Sequence, residues 1–112
     1  MKAKKIVVVV NDHPPAKAEN LESLYEAVEE LLLRSVDHIK PLYLVAFILF
    51  EQQSIVTIQV MFMPPNKLDI SVITEKECRE TAKQILNKLV EIRDKAEEQY
   101  FKKLYEFYGG VN

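Results

Sequence analysis

The sequence predicts an α+β fold, a two-layer β-α-β-β-β-α domain in which two helices cover one face of a four-stranded mixed sheet. Three observations carry that reading. Apolar residues recur at steps of three and four through residues 74–108 with no Pro or Gly among them, the period of a single long helix. Four other stretches are β-branched runs or carry apolar residues at period two, as strands do. Proline then stands in the gaps at 11–15, 41 and 64–66, with an asparagine in the first and last of them, where the chain must turn.

Taken in order, residues 5–10 form a β-branched run with no polar interruption, the mark of a strand covered on both faces. Asn11, Pro14 and Pro15 break it. A first helix follows, from Ala16 or Asn20 to Ile39, with Leu21, Leu24, Tyr25, Val28, Leu31, Leu32 and Val36 on one side. Pro41 ends it, because the residue before a proline is pushed out of the α region. Residues 42–51 and 55–63 make two strands around a Gln52-Gln53-Ser54 hairpin. In the second, Val56, Ile58, Val60 and Phe62 point one way and Thr57, Gln59, Met61 and Met63 the other. In the first, both alternating sets are apolar, so both faces need cover. Pro64-Pro65-Asn66 turns the chain into a last strand, 68–73, with Leu68, Ile70 and Val72 toward the core. A strand, a helix and a strand in succession should pair in parallel through a right-handed crossover. Residues 1–112 read as one domain.

The long helix is the most informative element. Thr74 with Glu77 three residues on fits a capping box. Cys78, Ala82, Ile85, Leu89, Ile92, Ala96, Tyr100, Leu104 and Phe107 then form one stripe. Glu91 with Lys95 and Glu98 with Lys102 are spaced for helical ion pairs, and Gly109 and Gly110 supply a stop. Such a helix runs roughly 50 Å, whereas a nine-residue strand covers about 30 Å. About 20 Å should therefore project beyond the sheet. That overhang carries Tyr100, Phe101, Leu104, Tyr105, Phe107 and Tyr108, five of the ten aromatic residues in the chain. Aromatics on two sides of a projecting helix call for a cover, and a second chain is the natural one. The competing expectation is a helix that bends near Arg93 and Asp94 and folds back on its own core. The second sheet face, with Tyr43, Phe47, Leu49, Met61 and Met63, is also left without a cover from this chain.

Composition bounds the function. At 48% hydrophobic and 29% charged residues the chain reads as a globular domain. A net charge of −2 points away from a general nucleic-acid binder. Cys78 is the one cysteine, which leaves no internal disulfide and favours a reducing compartment. Lys2, Lys4 and Lys5 before residues 6–10 imitate a secretory signal, but five apolar residues are too few for its core. The expectation is a cytoplasmic chain.

Candidate chemistry is sparse. Asp12 and His13 follow the first strand, where α/β folds place ligands, and are spaced for an acid–base pair; a solvated turn is the plainer role. His38, at the end of the first helix, suits a favourable contact with the helix dipole. Cys78 lies on the apolar stripe, where a thiol behaves as a small hydrophobe. No metal-ligand spacing and no cofactor motif stands out, so neither is expected.

The order of elements is similar to that of ribosome hibernation factors, which bind ribosomal RNA. It also resembles the small dimerisation subunit of the archaeal and eukaryotic tRNA-threonylcarbamoylation complex, which pairs through a long C-terminal helix. Both likenesses are of topology and transfer no individual residue. The expectation is a non-catalytic, self-associating interaction module, homodimeric through its long helix, its exposed sheet face or both, with another protein as a further partner. The alternatives are a nucleic-acid or ribosome-associated factor, or a small enzyme or ligand binder with a pocket between subunits near Asp12 and His13.

Overall fold

The computed structural model describes residues 2–11, 13–65 and 67–108, with the side chain of Tyr108 left aside. The chain folds into a five-stranded antiparallel sheet with two helices packed on one face. The elements are β1 (Ala3–Val10), β2 (Ala16–Ala18), α1 (Leu21–His38), β3 (Leu42–Phe50), β4 (Ile55–Met63), β5 (Lys67–Thr74) and α2 (Arg79–Tyr108). The spatial order is β2-β1-β3-β4-β5, and every neighbouring pair is antiparallel.

Two expectations change here. The sheet has five strands rather than four, and it is antiparallel rather than mixed. One short segment causes both differences. After β1, residues Ala16–Ala18 run back along its edge as β2, with Val7 opposite Lys17. This reversal returns the chain to the start of β1 before α1 begins. The helix then climbs in the direction of β1, so β3 must descend, and β1 and β3 pair antiparallel. Three residues without apolar periodicity carry no strand signal of their own, so they read as loop or helix start. The added strand also removes the coincidence of element order behind the two resemblances.

Asn11 locks the top of this arrangement. It sits at φ 40°, a left-handed conformation asparagine tolerates. Its side-chain oxygen accepts from the Tyr43 backbone N–H at 2.7 Å and its amide donates to the Pro41 carbonyl at 3.4 Å. The α1 start is capped by Asn20, whose side chain accepts from the Ser23 N–H at 2.8 Å. Ile39 in the left-handed region ends the helix (φ 51°), its N–H reaching Ser35 and Val36 carbonyls.

The hairpin at Gln52-Gln53-Ser54 forms as expected, with Gln53 at φ 69° and the Phe50 N–H donating to the Ser54 carbonyl at 2.9 Å. A turn at Pro64 and Pro65 links β4 to β5; Asn66 lies outside the described residues. The capping box does not form. Thr74 is the last residue of β5, and its hydroxyl donates to the Glu75 carbonyl at 3.0 Å. A 3-10 turn, Lys76–Cys78, leads into α2 instead. The Gly109–Gly110 stop lies outside the described residues.

The core lies between the inner sheet face and the helices. Leu44, Ile48, Ile58, Val60 and Phe62 project from the strands to meet Leu24, Val28 and Leu32 of α1 and Ile85 and Leu89 of α2. Cys78 is buried among them, as its place on the stripe suggested. The α2 helix runs unbroken through Arg93 and Asp94. The 56 Å long axis of the molecule exceeds its 28 Å and 18 Å widths, and its radius of gyration is 15.2 Å. A compact chain of this length would have about 13 Å. The molecule is elongated.

Candidate interaction surfaces

The strand registers place the outer sheet face in rows. Val7 stands beside Phe47, Thr57 and Ile73; Leu49 beside Lys5 and Ile55; Val9 beside Val45 and Gln59; Tyr43 beside Met61. Tyr43 is 42% and Phe47 45% exposed, while Leu49 and Met61 are half-buried and Met63 is exposed. All five residues expected on this face are there. The patch also includes Val7, Val9, Val45, Ile55 and Ile73. The apolar run in β1 reads as a strand covered twice, yet no described element covers its outer side. Its neighbour β3 supplies the missing signal: once Val7 is set against Phe47, β1 must share the same open face.

Lysines border one end of the patch. A register shift between Ala3 and Lys5 leaves Lys4 as an extra residue in β1. Lys4, Lys5 and Lys17 then surround a shallow hollow with Leu49 and Glu19.

The tail of α2 is the second surface. The helix starts later than expected, so the overhang is shorter: residues 101–108 follow the last buried residue, Tyr100, about 12 Å of helix. Phe101 is 70%, Tyr105 72% and Phe107 64% exposed, and Leu104 is half-buried against the core. Tyr100 does not join them. It is 8% exposed, its ring meets Phe62 edge-on at 5.0 Å, and its hydroxyl donates to the Pro65 carbonyl at 2.7 Å. Its place on the core stripe accounts for this, since that side of α2 faces the sheet. The Tyr108 side chain lies outside the described residues.

Beside that turn, β5 and α2 enclose a groove of about 600 Å³. Pro65, Leu68, Tyr100, Phe101 and Leu104 form its apolar walls, and Lys67, Asp69 and Glu97 its charged rim.

Asp12 lies outside the described residues. His13 is exposed in the connection from β1 to β2, its backbone N–H donating to the Val10 carbonyl at 2.8 Å. The antiparallel sheet offers no parallel-strand crevice there, so the reason for a ligand at that end falls away. His38 is exposed in the last turn of α1. Among the described residues no group of three or more His, Cys, Asp or Glu gathers to hold a metal ion. No described helix is long and apolar enough to cross a membrane.

Comparison with protein-family models, with curated proteins and with solved structures returned no match to this chain.

Proposed function

We propose that this chain is a non-catalytic, self-associating interaction module: an assembly or adaptor unit whose activity is to bind protein surfaces, first of all that of a second copy. The outer sheet face carries the reading. Its apolar residues are contiguous across β1, β3 and β4, and β3 is the middle strand of five. A two-fold axis along β3 would bring Val45, Phe47 and Leu49 of the two chains together at the centre and set the β1 side of one chain over the β4 side of the other, Val7 and Val9 facing Thr57 and Gln59. Isologous packing of this kind needs a surface that complements itself, and two sheets stacked face to face would sit about 10 Å apart. Four strands of this length span roughly 30 Å by 20 Å, about 600 Å² before side-chain relief is counted. A standard interface covers about 800 Å² per partner, so the face alone is close to sufficient.

Light scattering after size exclusion tests this on the full chain and on Phe47→Asp. Phe47 is already exposed, so the substitution should leave the circular dichroism spectrum and the fold intact. The expected result is an assembly for the full chain and a lower mass for the variant. A full chain that remains a single copy at all concentrations would overturn the reading. The face, with Lys4, Lys5 and Lys17 at its border, would then be open to the nucleic-acid alternative.

A further inference from the structure

We propose that the groove between β5 and α2 receives the projecting end of α2 from a second copy, so that two chains exchange their aromatic tails. The inference rests on the self-association reading and gives it a second, separate surface on the helix side of the sheet.

The groove is apolar inside and charged at its rim, a form suited to a side chain with a ring and a nearby cation. This chain presents such side chains next to it. Phe101, Tyr105 and Phe107 stand exposed within two turns of α2.

Two arguments favour a second copy as the occupant. Phe101 is both a wall of the groove and the first exposed residue of the tail. A two-fold axis passing near it would lay each tail along the other chain's groove, the reciprocal contact an isologous pair requires. Charge agrees as well. The rim holds Asp69 and Glu97 against one Lys67, while the tail carries Lys102 and Lys103 against one Glu106. Asp69 already has Lys67 at 3.8 Å and Glu97 has Arg93 at 3.8 Å, long pairs that a further cation can join. Lys103 is engaged with Asp37 at 3.3 Å, which leaves Lys102, beside Phe101, to approach the rim carboxylates.

Area makes the tail contact an addition to the outer face rather than a substitute for it. Three aromatics about two-thirds exposed offer on the order of 400 Å², and with Phe101 already part of the groove wall each partner stays below the 800 Å² or so of a standard interface. Because this contact and the outer face do not overlap, a chain using both would join more than one neighbour.

The test compares the masses of the full chain, Phe101→Asp/Tyr105→Asp and Phe47→Asp, with all substituted side chains exposed in the fold. The tail variant should have a lower mass than the full chain, and the three substitutions together should give a single copy. A charge exchange locates the contact in the groove rather than between tails alone. Asp69→Lys and Lys102→Glu should each weaken association roughly twofold to fivefold, and the pair together should recover it. A tail variant with unchanged mass would overturn the exchange, as would charge variants that neither weaken nor rescue. If Phe47→Asp dissolves the assembly in either case, self-association stands and only the groove contact fails. A full chain that is always a single copy removes both.

Discussion

Tyr25 is a side chain whose ionisation the fold alters. It is buried on the inner side of α1, and burial first, with Glu22 next, raises its phenol above the ordinary value. The folded chain therefore keeps the proton at a pH where the unfolded chain begins to lose it. The contribution to stability is complete below about pH 10 and is lost as the pH rises through the folded value. Denaturation midpoints should stay level toward about pH 10 and fall above it. Tyr25→Phe should flatten that fall; an unchanged alkaline slope in the variant would assign it to another group. Ile39 shows the opposite kind of compromise. A β-branched residue at φ 51° costs about 1–2 kcal/mol, but its side chain packs against the core and offsets the strain.

At the scale of elements, the two helices lie parallel in a fixed register. Lys95 pairs with Glu29, the Gln99 amide donates to the Leu33 carbonyl at 3.2 Å, and Lys103 meets Asp37. These contacts step by four residues along both helices, at a constant offset of 66 residues. The spacing expected to join Glu91 to Lys95 within α2 is thus used between helices instead, with Lys88 reaching Glu91 at 3.7 Å. The parallel course follows from β2, which returns the chain to the same end of the sheet from which α2 later starts. Gln99→Ala should cost about 1 kcal/mol because the bond is partly buried. Lys95→Ala should cost less than about 0.5 kcal/mol, since its ion pair is well solvated. Urea midpoints of the two variants check the order, and a larger loss in Lys95→Ala would reverse it.

For the whole molecule, the consequence is an open surface on each side of the sheet: the outer face on one, the tail and groove on the other. A chain that associates through such surfaces gains stability by mass action. Its thermal midpoint should rise as protein concentration increases, and Phe47→Asp should lower that midpoint and weaken its dependence on concentration. A full chain with the same midpoint over a hundredfold range of concentration would count against assembly in the folded state. The charge distribution suits this use. Glu22, Glu26 and Glu30 are exposed on α1, whereas the outer sheet face carries lysines only at its border.

The sequence by itself determined the elements, because their signals are local. The stripe of apolar residues in α2, the Pro41 stop and the alternation in β4 each act through the backbone within a few residues. The same alternation assigned Tyr43, Phe47, Leu49, Met61 and Met63 to one sheet face. Tertiary structure decided what depends on residues distant in the chain. β2 has too few residues to signal a strand and exists only because β1 offers its edge; with it came the antiparallel sheet and the parallel helices. Thr74 completes β5 rather than capping a helix, since pairing with Val56 takes precedence over a local cap. Tyr100 is core while Phe101, one residue on, is exposed because it lies on another side of the helix, and no periodicity within α2 states where its partner strands stop.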